Sequence, residues 1–209
     1  MEVLLPIVSF VLGYLIGSIN VSVIVSKVAY KSDVRKYGSG NAGATNMARV
    51  FGLLAGMIVL IGDFGKCILS MWLASLIGGE NCSLAAGLGC LIGHAFPLYF
   101  KFKGGKGVTV GAALALMLDW RAFVAILVVF VIMFLITRTV SVSSIVAAAS
   151  LIIVLVGIYT LQGSLKLVTL YELIAGTLAA IFVIALHHEN IKRILNGTEK
   201  KFTYKKRDR

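Results

Sequence analysis

Three short polar segments carry the residue types best suited to chemistry in this 209-residue chain. The first runs Gly38-Ser39-Gly40-Asn41-Ala42-Gly43-Ala44-Thr45-Asn46 and is followed by Arg49. Its glycines allow a tight loop whose successive backbone N–H groups converge on an anion, leading into a helix N-terminus with its positive dipole end. Ser39, Asn41, Thr45 and Asn46 add hydrogen-bonding side chains, and Arg49 adds a planar fork that can grip two phosphate oxygens. Gly38 to Gly43 also fit the G-x-G-x-x-G pattern of dinucleotide folds. That fingerprint needs a preceding strand, however, and a charged stretch stands here instead.

The second segment is Gly93-His94-Ala95-Phe96-Pro97 with Phe102-Lys103-Gly104-Gly105-Lys106-Gly107. It is not a Walker loop, since Phe100 stands where the first glycine belongs and no Ser or Thr follows Lys106. Two lysines separated by two glycines still place compact cations beside flexible backbone, which suits a phosphoryl oxygen. A lone His at a helix end, such as His94, is the usual pattern of a hydrogen-bonded structural residue. The third segment is His187-His188-Glu189-Asn190-Ile191-Lys192-Arg193. At helical spacing His187 and Asn190 share a face, while His188 and Glu189 turn to solvent. No Asp or Cys stands near His187, so no zinc site is expected.

The elements that must position these segments lie in a membrane. With 59% hydrophobic and 14% charged residues and a mean hydropathy of +0.96, the chain is far more apolar than a soluble domain. Apolar runs predict an all-α polytopic membrane bundle with helices near 4–26, 53–78, 83–99, 107–118, 122–136, 140–161 and 168–186. That makes about seven transmembrane helices, of which the fourth and fifth are short for a span of roughly 20 residues and are open to a re-entrant reading. The N-terminal run has no preceding Lys or Arg and no cleavage site, which predicts a retained helix. No repeat or long linker divides residues 1–209, so a single domain is expected, with 190–209 as a basic tail.

The net charge of +11 is first a matter of topology. Seventeen cations fall on one side of the predicted spans: Lys27, Lys31, Arg35, Lys36, Arg49, Lys101, Lys103, Lys106, Arg138, Lys192, Arg193, Lys200, Lys201, Lys205, Lys206, Arg207 and Arg209. Only Arg121 and Lys166 fall on the other, and Lys66 lies within a helix. The positive-inside rule then places the C-terminus and all three motifs in the cytoplasm and the N-terminus outside, and nucleic acid is not needed to explain the charge. Asp63 and Lys66 are i,i+3 neighbours in an apolar helix, which predicts an ion pair, mutual or with another helix. Arg138-Thr139-Val140-Ser141, with Ser144, reads as a helix cap. Cys67, Cys82 and Cys90 are odd in number and lie outside the motifs, which argues against a disulfide framework and against thiol catalysis.

Glycine loops and cations also suit a transporter of phosphorylated anions, but transporter sites sit near the bilayer midplane on broken helices, whereas these motifs gather at one interface. An interfacial enzyme is favoured. The three motifs together, in order and spacing along nearly the whole chain, resemble those of the bacterial acyl-phosphate:glycerol-3-phosphate acyltransferase family. Leu186 stands where that family carries Arg before the third-motif His, and Cys67 where Gly is usual. No H-x4-D pattern follows either candidate His, because Tyr99 and Lys192 occupy those places. The resemblance implies an inner-membrane enzyme, working without a cofactor, that acylates the sn-1 hydroxyl of glycerol 3-phosphate from acyl phosphate. It also implies membrane lipid as surroundings and an acyl-phosphate-producing partner enzyme. Carried onto this sequence, the catalytic group is Ser39, His187 and Asn190. The substrate-binding group is Gly38, Gly40, Asn41, Thr45, Asn46, Arg49, Lys103, Gly104, Gly105, Lys106 and Ser144.

Overall fold

A chain in hydrocarbon must pair its backbone polar groups internally, and among the described residues every regular element is helical. The computed structural model describes the backbone of residues 4–161 and 167–202, and the side chains of all of these but 167–169. Lys166 and the tail cations Lys205, Lys206, Arg207 and Arg209 lie outside the described residues. The helices are α1 (Leu4–Gly17), α2 (Val21–Tyr30), α3 (Ala44–Phe51), α4 (Leu53–Ala95), α5 (Val108–Leu118), α6 (Trp120–Thr137), α7 (Val140–Leu161), α8 (Leu167–Ala185) and α9 (His188–Leu195). Leu4–Tyr30, Leu53–Phe100, Trp120–Thr137 and Val140–Leu161 are long and apolar enough to cross a membrane, and α8 joins α9 as a pair bent by 55°.

The first predicted helix is broken. Over 18–20 the chain leaves helical geometry, and Asn20 restarts it by accepting the Val23 N–H on Oδ1 at 3.0 Å. The break leaves carbonyls without helical partners, and Lys66 Nζ donates to two of them, Gly17 O at 3.0 Å and Ile19 O at 2.9 Å. Helix α4 runs 43 residues but leaves helical φ/ψ at Gly78 and Gly79, the latter at φ +70° where glycine alone is unstrained. Its two arms run in opposite directions. Helix α1 meets the first arm in reversed order, Gly17 at Lys66 and Leu5 at Gly78, and the second in the same order, Gly13 at Ala86 and Gly17 at Cys90.

Small residues let α1 and the second arm of α4 touch backbone to backbone. A Cβ on Gly13 or Gly17 would overlap the carbonyls of Ala86 or Cys90, and one on Gly89 or Gly93 would overlap those of Phe10 or Tyr14. The apolar core then forms from Leu91 of α4, Val110 and Leu114 of α5, Leu151 and Leu155 of α7, and Ala179 and Val183 of α8. Helix α5 has 11 residues, about 16 Å of rise, and its Val110, Ala113, Leu114 and Ala115 are fully buried. Helix α6 begins earlier than predicted, because Asp119 caps it by accepting the Arg121 N–H at 2.7 Å. Large apolar side chains such as Leu54, Ile136 and Ile153 face outward, as hydrocarbon surroundings require.

The segments 31–52, 96–107, 138–139 and 186–202 meet at one end of the bundle. Arg35, which the charge count assigns to topology, clamps the first two: it pairs with Asp33 at 2.7 Å and donates to the carbonyls of Phe100 at 2.8 Å and Lys103 at 3.2 Å. The Phe202 N–H donates to Arg138 O at 2.7 Å and ties the tail to the start of α7.

Candidate active site

Helices α3, α5, α7 and α9 all begin at this end, and their first turns surround a cavity of about 420 Å³. First-turn N–H groups have no helical acceptor, so four N-termini supply fixed positive partial charge to one space. Arg49, Lys106, Arg193 and Lys200 add four formal cations to its wall. An anion is the complementary occupant.

Asn46 organises the first loop. It is buried, and its Nδ2 shares two hydrogens among the carbonyls of Val34 (3.3 Å), Tyr37 (3.1 Å) and Asn41 (3.0 Å), while Oδ1 accepts the Ser39 N–H at 2.9 Å. Four bonds from one amide hold the loop so that Gly38, Ser39, Asn41, Thr45 and Arg49 border the cavity with Asn46 itself. Gly38 and Gly40 have φ of +65° and +73°, the left-handed turns that the glycines permit. Gly40 lies outside the cavity wall.

In the second segment the two lysines part company. Lys106 lines the cavity and donates to Asn190 Oδ1, whereas Lys103 is exposed and away from the wall. Gly104 and Gly105 also stand behind the wall: their N–H groups donate to the carbonyls of Ala95 and His94, both at 3.1 Å, and a Cβ on either would strike His94. These glycines fix the turn that delivers Lys106. Burial pushes the Lys106 ammonium below the ordinary lysine value; Arg193 and Arg49 add to this and Glu199 opposes it.

His187 and Asn190 are both buried and line the cavity. The His187 Nδ1–H donates to Val183 O at 2.7 Å, which leaves the lone pair of a neutral ring on Nε2. Burial lowers the pKa of His187, with Lys106 adding to the effect against Val183 and Glu199. His188 and Glu189 are exposed and paired at 3.3 Å, outside the cavity. Ser144 borders the cavity while its Oγ–H donates to Val140 O at 2.8 Å.

Glu199 binds the third segment together and escapes notice in the sequence, where it stands amid tail lysines. Its Oε1 accepts from Ser141 Oγ and Asn190 Nδ2, both at 2.7 Å, and its Oε2 accepts from Arg193 Nε at 2.7 Å. Burial pushes the carboxyl up, but those three bonds outweigh it and hold Glu199 below the usual carboxylate range. Arg193 carries one signal that could have found it, since it lies three residues beyond Asn190 on the same helical face. The ion pair of Asp63 with Lys66 is present at 2.8 Å, and Asp63 and His94 also border the cavity.

An apolar groove of about 220 Å³ adjoins the polar cavity and shares Leu60, Val108, Thr109, Phe130 and Ser144 with it. Phe64, Phe123, Ile126, Ala147, Leu151 and Ala179 continue the groove among α4, α6, α7 and α8. A molecule that is anionic at one end and a long hydrocarbon at the other matches the two compartments together.

Residues 7–197 match a family model described as glycerol-3-phosphate acyltransferase. The chain is 43% identical over 199 residues to glycerol-3-phosphate acyltransferase 2 of Bacillus anthracis, covering 93% of this chain and 98% of that one. It is 42% identical over 191 residues to glycerol-3-phosphate acyltransferase of Bacillus subtilis, covering 91% and 94%. Among solved structures it is similar to PlsY (YgiH), an integral membrane glycerol 3-phosphate acyltransferase. The glycerol 3-phosphate form of that protein superposes with a TM-score of 0.84 at 30% identity, covering 95% of this chain and 96% of that one. The lysophosphatidic acid form gives 0.82 at 29% identity.

Proposed function

The chain belongs to the glycerol-3-phosphate acyltransferase family, and we propose that it acylates the sn-1 hydroxyl of glycerol 3-phosphate with an acyl phosphate. The products are 1-acylglycerol 3-phosphate and phosphate. One observation carries this reading: a cavity with four cations and four helix N-termini opens into an apolar groove. Glu199 offsets one of these cations and Asp63 is matched by Lys66, and the remaining positive field suits two phosphate groups, one on the acceptor and one on the donor. The two solved forms of the structural relative, with glycerol 3-phosphate and with lysophosphatidic acid, correspond to the acceptor and the product of this transfer.

Acyl phosphate is a mixed anhydride with a good leaving group, so holding two anions together supplies much of the catalysis. The acceptor's C1 oxygen attacks the acyl carbonyl carbon and an ester bond forms. The bond from that carbon to the phosphate oxygen breaks, and the electron pair leaves with phosphate. Ser39, Arg49 and Lys106 hold phosphoryl oxygens; Asn190, fixed by Glu199, aims Lys106. Two acceptors are available for the hydroxyl proton, the lone pair on His187 Nε2 and a phosphate oxygen of the substrates. Cys67, Cys82 and Cys90 are buried and none borders the cavity, which supports direct transfer without an acyl-enzyme.

In this reading the bundle lies in the bacterial inner membrane with about seven transmembrane helices, counting the arms of α4 separately, of which α5 is short for a full span. The N-terminus is outside, the motifs and tail face the cytoplasm, and the donor tail enters from the lipid. An acyl-phosphate-producing enzyme must supply the donor. Purified protein given palmitoyl phosphate and glycerol 3-phosphate should release phosphate and lysophosphatidate in equal amounts. A C-terminal reporter should behave as cytoplasmic. Turnover with thioester donors alone, or uptake of glycerol 3-phosphate without product, overturns the reading.

A further inference from the structure

His94 is 3% exposed near the end of α4's second arm, and the acyl transfer described above gives it no part. Its ring is held at one edge and pressed at the other. The buried Lys66 of the first arm donates from Nζ to Nδ1 at 3.2 Å, while also bonding Gly17 O and Ile19 O and pairing with Asp63 at 2.8 Å. An ammonium has no lone pair, so Nδ1 is the acceptor and the ring is anchored there. At the other edge Nε2 and Cε1 fill the space in which a Cβ of residue 105 would lie. The imidazole thus stands in for the side chain that Gly105 lacks.

That contact bears on Lys106, the next residue. Lys106 is flanked by Gly104, Gly105 and Gly107, residues with the widest backbone freedom, and α5 begins only at Val108. The turn before it is tied by the Gly104 and Gly105 N–H groups to Ala95 O and His94 O, both at 3.1 Å, and more loosely to the first loop, where Ala42 N–H reaches Gly104 O at 3.4 Å. Three backbone bonds leave much of this freedom unspent, yet the ammonium has to reach Asn190 in the cavity wall. The ring removes one direction in which the turn could relax. We propose that His94 is a positioning residue for Lys106. Anchored at Nδ1 by Lys66, its imidazole packs against Gly105 and holds the turn in the conformation that delivers the Lys106 ammonium to Asn190 and to a phosphoryl oxygen. The part played by Lys106 rests on the acyl-transfer reading.

The test is a double-mutant cycle on kcat/KM for glycerol 3-phosphate at saturating palmitoyl phosphate, normalised to folded protein. His94→Ala should lower kcat/KM about tenfold, less than the roughly hundredfold that a misplacement of about 1 Å can cost. If the ring acts through Lys106, adding His94→Ala to Lys106→Met should cost less than about twofold more. Losses that multiply would give the ring an effect independent of Lys106, the mark of a purely structural role, and would overturn the proposal. His94→Gln, whose amide reaches the place of Nε2, should come within about threefold of wild type. His94→Asn, which replaces Nδ1 but stops short of Gly105, should stay near His94→Ala. The reverse order would mean that the bond to Lys66 matters and the contact with Gly105 does not, and would also overturn the proposal. Calorimetric binding of glycerol 3-phosphate runs the same cycle without turnover, so a protein that shows the coupling in binding but transfers no acyl group refutes the reaction and retains the positioning role.

Discussion

Lys103 and Lys106 offer the sharpest test of where the anion site lies, because sequence alone makes them near equals and the structure separates them. Lys106→Met removes a part-buried ammonium that borders the cavity and holds Asn190. A charge-assisted contact of this kind is worth about 1.5 to 3 kcal/mol, and at about 1.4 kcal/mol per decade that is roughly 10- to 150-fold. Arg49, Arg193 and Lys200 remain around the same cavity, so we expect about 10- to 50-fold in kcat/KM for glycerol 3-phosphate, the lower part of that range. Lys103→Met leaves the backbone carbonyl that Arg35 uses and removes only an exposed side chain, so the change should stay below about twofold. Initial rates against glycerol 3-phosphate at fixed palmitoyl phosphate, normalised to folded protein in the membrane, measure both. Similar effects at the two lysines would mean that both act through the charge of the loop, and the assignment of the cavity would fall.

Burial and the neighbouring Arg193 and Arg49 lower the Lys106 pKa, so its positive charge is lost at lower pH than an ordinary lysine's value of about 10.4. The KM for glycerol 3-phosphate should therefore climb early on the alkaline side. Lys106→Arg, whose guanidinium stays charged, should move that limb to higher pH in a profile of KM against pH. Glu199→Gln keeps acceptors for Ser141 and Asn190 but removes the charge opposite Arg193, whose side chain is 40% exposed. Discounted for solvent, the change should cost about 1 kcal/mol and lower kcat/KM about fivefold; an unchanged kcat/KM would show that Glu199 does not position the site. Gly93→Leu would drive a side chain into the Tyr14 carbonyl between α1 and α4. It should destabilise by about 3 kcal/mol or more, read as a lower melting temperature in detergent, and no shift would contradict the close backbone contact.

The long apolar runs made the helices legible in the sequence, because hydrocarbon leaves the backbone no hydrogen-bonding alternative. The boundary between the second and third predicted helices coincides with the reversal at Gly78 and Gly79, where a glycine pair interrupts the run. Most motif residues that border the cavity were legible too, since glycine loops, Ser, Asn, Arg and Lys advertise anion chemistry by type and spacing. Other features had no local signal. The break between α1 and α2 is stabilised by Lys66, whose bond to Gly17 O spans 49 positions. Glu199 became the centre of the third segment only when α7 brought Ser141 to it across 58 positions. Asn46 turned inward to hold the loop, and Lys103 was separated from Lys106 by the folding of a turn against His94 and Ala95. Residue type and spacing determine which groups can bind an anion or cross a membrane. Which of them share a cavity depends on distances between helices remote in sequence, and those are set by small-residue contacts and buried polar bonds that exist only once the bundle has packed.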